Sequence, residues 1–150
     1  MRTLANAADV TAIRTRIASL TAGDKRLWGT MTVGGMVCHL ADSFRFALGE
    51  FEAGILKVPI PPRLMKWLAL RAPMKWPKGT PTLSEVKQGV GGTAPGEFEA
   101  DRATLLDAVD KFTVSVGPWP RHPIFLEMTQ AEWMRWGYLH GDHHLRQFGR

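Results

Sequence analysis

Cysteine is nearly missing from this 150-residue chain, which contains only Cys38. A single thiol excludes an internal disulfide framework and indicates a reducing, cytoplasmic setting. The N-terminus, MRTLANAADV, lacks the continuous apolar stretch that a secretory signal needs. The richest apolar segment, LMKWLALRAPMKW, is interrupted by charges and a proline too early to cross a bilayer. The sequence therefore predicts a cytoplasmic protein with no membrane partner.

A concentrated basic arm is also missing, although the chain is basic overall. Nineteen Lys and Arg residues stand against 14 Asp and Glu, which gives a net charge of +5. The basic residues are scattered, and no recognition helix or stacking signature accompanies them. We therefore expect no nucleic-acid partner and interpret the charge as a solvated basic surface. A small-molecule substrate is the expected partner, and an anionic one would be drawn toward a basic pocket edge.

No stretch of the chain shows the sustained alternation of apolar and polar residues that marks a strand, and no internal repeat is present. Apolar residues recur instead at helical spacing in four segments, which predicts an all-α fold in a single domain over 1–150. Four amphipathic helices favour a four-helix bundle. Capping patterns such as Thr129-x-x-Glu132 help to set the predicted limits. The four predicted helices span residues 6–21, 32–50, 97–116 and 130–147.

A long connection, roughly residues 52–94, separates the second predicted helix from the third. Its first part, within residues 60–76, predicts a short helix entered through proline. The apolar side chains of that helix occupy nearly every side, since Trp67 and Leu70 do not share a face with Leu64 and Leu68. We expect this segment to form a lid on the bundle and its excess apolar surface to favour a homodimer. The remainder is rich in Gly, Pro and Thr and predicts a loop.

Three of the five histidines lie close together near the C-terminus, at His140, His143 and His144. Residues four apart on a helix point the same way, so His140 and His144 can reach one metal ion. A third ligand must come from elsewhere, and His39 or His122 is available. His39 is better placed, because Gly35 leaves space one turn before it and it lies beside the apolar stripe of its helix. Three imidazoles from two helices would leave a coordination position open, as in catalytic metal sites.

Simpler interpretations of the same histidines stay open from the residues alone. An isolated HxxxH spacing is common by chance, and histidines beside Trp133 and Trp136 can be hydrogen-bonded core residues. His143 lies about 100° around the helix from its neighbour. It is therefore predicted at the rim of the site, with a His140–His143 ligand pair as the alternative. His122, before a proline, is interpreted as a loop packing residue.

The stretches WGTMTVGGMVCHL and HGDHHLRQ resemble motifs of the DinB/YfiT-like superfamily of bacterial four-helix metal proteins. The stretches GEFEADRATLL and HPIFLEMTQAEWMRWGYLHGDHHLRQFG are similar to an uncharacterised DinB-related subfamily. The resemblance covers most of the chain, with a weak middle. It implies a divalent metal held by His39, His140 and His144, with Gln147 at the motif's glutamine. The longer connection around residues 52–80 departs from the family pattern and leaves the substrate unspecified.

Characterised members of that superfamily resemble thiol-dependent transferases and isomerases that use a low-molecular-weight thiol such as bacillithiol or mycothiol. The resemblance thus implies an S-transferase or isomerase in which an open-position metal, zinc or nickel, activates the thiol. Supporting or pocket positions are assigned to His143, Gln147, Trp136 and Ser43. A hydrolase using metal-bound hydroxide has the same ligands, although position 141 is Gly and the HExxH glutamate is missing. A non-catalytic small-molecule or metal-binding module is the further alternative.

Overall fold

The computed structural model describes residues 1–56, 58–72, 75–78, 84–87 and 89–150. Those parts of the chain are all-helical, as predicted, and contain no strand beyond an isolated bridge between His122 and Leu126. Residues 57, 73–74, 79–83 and 88 of the predicted connection lie outside the described residues. A short 3₁₀ helix, Ser84–Val86, belongs to that connection. The α-helices are α1 (Ala7–Ala18), α2 (Val33–Ala47), α3 (Pro62–Arg71), α4 (Phe98–Val114) and α5 (Gln130–Gln147).

Side-chain caps fix where the long helices begin. Asn6, Thr32 and Glu97 are N-caps that accept backbone N–H groups, so α1, α2 and α4 each start one residue later than predicted. Thr129 and Glu132 form the predicted capping box at the start of α5. The sequence therefore located these helix starts to within one residue.

Three predicted helices end earlier than the apolar pattern indicated, and the first of them, α1, ends at Ala18 instead of residue 21. The prediction for α4 extended to Val116, but the helix ends at Val114 and both valines are 80% exposed. Beyond the core these residues have nothing to pack against, so the pattern does not extend the helix. In α2, Leu48 caps the C-terminus and Gly49 follows with φ +80°. A glycine in the left-handed region is a common helix terminator.

Four of the helices form a closed cycle of contacts. α1 packs against α4 and α5, and α2 packs against the same two helices. This arrangement is compatible with the predicted four-helix bundle. α2 is the most enclosed helix, with buried residues around nearly its whole circumference. Its side chains join a core of large fully buried residues: Trp133, Phe44, Phe112, Ile13, Ile17, Met36, Leu40, Leu105 and Leu145.

A glycine allows the C-terminal helix to approach its neighbours closely. A Cβ atom at Gly137 would lie 2.8 Å from Phe112 Cε1 and 3.0 Å from Leu4 Cδ1. Neither atom has room to retreat, because Phe112 and Leu4 are themselves buried. The missing side chain therefore brings α5 against α4 and the N-terminal segment.

The segment around α3 lies against α5. Lys66 forms an ion pair with Glu132 (3.0 Å), and Arg135 donates to the carbonyl of Leu70 (3.1 Å). Only Leu70 of α3 is buried, whereas Trp67 remains 54% exposed. Within the described ranges, no helix is both long enough and apolar enough to cross a membrane. The placement of α3 brings the residues that follow it, including Trp76, toward the histidines of α5.

Candidate metal centre

The third histidine of the predicted set, His39, lies in the middle of α2 and is buried. Its Nδ1 atom is 2.9 Å from the carbonyl oxygen of Val86 in the 3₁₀ helix. A carbonyl only accepts hydrogen bonds, so Nδ1 carries the proton and donates. In the neutral ring, Nε2 then has a free lone pair. One backbone contact thus orients the imidazole and prepares Nε2 for a ligand.

The spacing of His140 and His144 places both rings on the side of α5 that faces His39. Ring centroids are 5.1 Å apart for His39 and His140, and 4.7 Å apart for His39 and His144. One nitrogen from each ring lies within 4.8 Å of the corresponding atoms of the other two. The structure therefore brings together the three predicted ligands, and this cluster could hold a metal ion. His143 is not part of the converging set.

The closest approach in the cluster joins His39 Nε2 and His140 Nε2, which are 3.1 Å apart. Two bare lone pairs would repel at this distance, so a proton or a shared cation must lie between them. Nitrogens bound to one tetrahedral zinc ion at about 2.0–2.1 Å are separated by about 3.3 Å. Among the described residues, the other ring nitrogen of His140, Nδ1, is buried and without a hydrogen-bond partner. The donor set and its spacing fit a divalent transition metal.

A two-step hydrogen-bond chain orients His144. The side-chain amide of Gln147 donates from Nε2 to the carbonyl of Trp28 (2.9 Å), which turns Oε1 toward His144. His144 Nδ1 lies 3.1 Å from that oxygen and must donate to it. Nε2 of His144 is consequently unprotonated in the neutral ring, as it is in His39. Gln147 thus contacts His144 directly and fixes the side on which its ring carries the proton.

Burial keeps the three imidazoles neutral. Desolvation lowers the pKa of His39, and it lowers the pKa values of His140 and His144 well below the usual histidine range. A positive charge on a neighbouring histidine ring lowers the pKa of each of them further. Neutral imidazole is the form that ligates metals, so burial maintains the cluster in its binding state at neutral pH.

His143 occupies the rim of the cluster, as predicted. Its ring lies 5.1 Å from that of His144 and about 6.2 Å from the rings of both Trp28 and Trp76. Lys78 Nζ sits 4.5 Å from the centre of the Trp28 ring. Two tryptophans and a lysine thus surround the partly exposed end of the site.

The other predicted site residues differ in how closely they approach the cluster. The ring of Trp136 contacts that of His140 at 4.9 Å, so it forms part of the wall. Ser43 donates its hydroxyl to the backbone carbonyl of His39 (2.7 Å), and it supports the helix without a described contact to the imidazole. His122 accepts from the N–H groups of Ile124 and Phe125 through Nδ1. It stabilises a loop, in agreement with its interpretation as a packing residue.

Sequence reasoning missed the two backbone carbonyls that orient the ligands, those of Val86 and Trp28. Carbonyl oxygens have no sequence signature, and Val86 lies in the connection that was predicted as a loop. It also missed Trp76, which packs 6.0 Å from His140. The apolar character of its segment was the only available signal.

No curated protein sequence and no solved structure matches the chain. A family profile described as "Protein of unknown function (DUF1569)" matches residues 2–150, almost the whole chain. The histidine cluster, its orienting residues and the helices that carry them all fall within the matched region. The chain therefore belongs to the DUF1569 family.

Proposed function

We propose that this protein is a divalent-metal-dependent enzyme of the DinB/YfiT-like type, built on a four-helix bundle of α1, α2, α4 and α5. The observation that carries the proposal is the convergence of three imidazoles from two helices, of which His39 and His144 are buried and oriented by Nδ1–H donation and His140 is half-buried. The proposed ligands are His39, His140 and His144, and zinc or nickel suits such a donor set. The proposed reaction is thiol-dependent S-transfer or isomerisation.

A divalent ion with an open coordination position supplies Lewis acidity, which lowers the pKa of a bound thiol toward neutrality. The chain's own residues orient the ligand rings and exclude water from the site. Val86 and Gln147 hold two ligand rings in one tautomer each. Trp136 and Trp76 cover His140 and leave the rim at His143 as the side from which a substrate enters.

The surrounding carboxylates support a thiol in preference to water as the nucleophile. Asp42 and Asp142 are two carboxylates whose charge acts on histidines of this region. Asp42 accepts from Thr93 and Asp142 accepts from two arginines, so neither is free to take a proton from water. A bound metal lowers the pKa of either nucleophile, but a free thiol starts near 8.5 and free water near 15.7, so the thiol needs less assistance to ionise. This favours the transferase or isomerase over the hydrolase.

The nucleophilic thiol must come from outside the chain. Burial, and to a lesser extent the nearby charge of Asp101, raises the pKa of Cys38 to about 12. Cys38 lines a separate small cavity with Asp42 and Asp101 and takes no part in the histidine cluster. It stays protonated at neutral pH. A low-molecular-weight thiol is therefore the proposed cosubstrate.

The decisive measurement is elemental analysis of untagged protein, followed by an assay of electrophile consumption with and without added thiol. We expect one divalent ion per chain and turnover only when a thiol is present. Replacement of His39, His140 or His144 by alanine should remove the ion. Turnover that needs no thiol would favour the hydrolase, and a bound ligand without turnover would favour a binding module.

The matched control is His122→Asn, because an asparagine side-chain oxygen can accept the same two N–H groups. This variant should retain the ion at full occupancy. An alanine at His39 that leaves the metal content unchanged would contradict the proposed ligand set.

The α3 region is proposed to serve as a lid and as a dimer surface. Its contacts with α5 and the position of Trp76 over His140 support the lid. Leu64 and Trp67 are 48% and 54% exposed, which supports a homodimer through this helix. Sedimentation should show a dimer that Trp67→Lys dissociates. A monomer at high concentration would contradict the second part.

A further inference from the structure

A second cavity, of about 240 Å³, lies beside the histidine cluster. Its lining residues on α5 are Arg135, Leu139, Asp142 and Arg146, spaced four, three and four residues apart along one face of the helix. His140 follows Leu139 directly and so lies about 100° around the helix from that face. Cavity and cluster thus occupy neighbouring sides of α5.

Trp76 forms the boundary between the two spaces. It lines the cavity, and its ring lies 6.0 Å from the ring of His140 and 6.2 Å from that of His143. Its indole N–H donates to the carbonyl of Ala69 (2.8 Å), which fixes the ring at the end of α3. A molecule in the cavity would therefore be one aromatic ring away from the proposed metal ligands.

The charges that line this cavity are unbalanced. Lys75, Arg135 and Arg146 contribute three positive charges against the single negative charge of Asp142, an excess of two. Asp142 is already occupied, because Arg16 and Arg146 each approach it to 2.8 Å. The carboxylate therefore leaves the other two cations without compensation.

Two of the cations have no carboxylate partner in the described part of the chain. Arg135 donates to two backbone carbonyls, those of Leu70 (3.1 Å) and Arg2 (2.6 Å). Burial lowers the pKa of this guanidinium, which shows that its charge is partly desolvated. Lys75 makes no described hydrogen bond or ion pair. Arg135 is half-buried and Lys75 is exposed at the edge of the cavity, so an oxyanion in the cavity would meet both charges.

We propose that the cavity binds the oxyanion group, carboxylate or phosphate, of a small acidic ligand through Lys75 and Arg135. A volume of about 240 Å³ has room for an oxyanion group and a short carbon chain. The inference rests on the proposed function in one respect: the anchored molecule is the thiol or substrate that acts at the neighbouring histidines. The anion site itself does not require the metal.

The test is calorimetric titration of the full chain with inorganic phosphate and, separately, with succinate. Lys75→Gln is the informative variant, because Lys75 supports no other described group. It should weaken binding about 10-fold or more, as expected for the loss of one charge-assisted contact. Lys75→Arg should restore it. Arg63→Gln, the same charge change on an exposed residue of α3 away from the cavity, should leave binding unchanged.

Titrations of His39→Ala separate this inference from the proposed function. Phosphate and succinate can also bind a metal, so an anion site in the cavity must persist when the metal ligand is removed. Binding of succinate alone would identify a carboxylate site, binding of phosphate alone a phosphate site, and binding of both a general oxyanion site. Absence of binding, or binding that is equal in the original chain and Lys75→Gln, would overturn the inference even if the metal is present.

Discussion

The hydrogen-bond chain from Trp28 through Gln147 to His144 allows a test of whether the protein orients His144 for a metal ion. The substitution Gln147→Leu keeps the size of a buried side chain and removes both hydrogen bonds, which measure 2.9 and 3.1 Å. His144 would then lose the acceptor that holds its proton on Nδ1. The ring could adopt the other tautomer or rotate, and Nε2 would no longer be prepared for a ligand.

Two separate magnitudes follow from this geometry. Groups that orient metal-binding histidines typically contribute 10- to 100-fold in metal affinity, which corresponds to about 1.4–2.7 kcal/mol. The metal-free protein should also lose about 2–3 kcal/mol of unfolding free energy, because two buried polar groups are left without partners. For a domain of this size that loss lowers the melting temperature by roughly 4–12 °C.

Metal affinity should be measured by competition with a chromogenic chelator, and stability by thermal unfolding of chelator-treated protein. Gln130→Leu is the matched control, because Gln130 is exposed and makes only one long bond of 3.4 Å to the carbonyl of Ser115. It should change neither quantity appreciably.

The two measurements together separate a ligand-orienting role from simple core packing. If Gln147→Leu loses stability as expected but binds metal within twofold of the original chain, the amide is only a core hydrogen-bonding group. The hydrogen bond from Gln147 would then not be what makes Nε2 of His144 available to a metal. Loss of both quantities would support it.

Two further predictions concern chelation and acid. Chelation should lower the melting temperature and raise hydrogen exchange first in residues 138–150, because metal bound only to the folded state stabilises it. If the melting temperature and the exchange rates do not change, the cluster holds no metal. Metal-free protein should lose stability as pH falls below about 6.5. The histidines of the unfolded chain then bind protons, whereas the buried histidines of the folded protein, whose pKa values are lowered, stay unprotonated. His122, with a folded pKa of about 3, contributes about 2 kcal/mol of that loss by pH 5. Denaturant unfolding at pH 7.5 and 5.0 should therefore show a smaller fall in unfolding free energy for His122→Asn than for the original chain.

Local sequence patterns predicted the helices well, because caps and apolar spacing act over a few residues. Thr129 with Glu132 located the start of α5 without reference to the rest of the chain. The apolar pattern was less accurate at Val116, where periodicity continues but the core does not. A pattern records which residues could be buried, whereas the end of the helix depends on what lies opposite.

The convergence of His39, His140 and His144 was predictable because it depends on helical spacing and a recognisable pair of motifs. Of the groups that orient these histidines, only Gln147 could be predicted from the sequence. Val86 O and Trp28 O approach the cluster from a 3₁₀ helix and a loop, and any residue type would supply the same carbonyl. Their positions follow from the tertiary path of the chain, and only a structure reveals them.

Tertiary contacts hold the last turn of α5, the helix that carries His144. Leu145 and Phe148 are buried, and the N–H of Leu27 donates to the carbonyl of Gln147 (2.7 Å). Arg150 forms an ion pair with Asp24. These contacts help to hold the last turn of α5 and so to position His144. A prepared site loses less conformational entropy on binding, so the contacts of residues 24–28 should contribute to the proposed metal affinity as well as to stability.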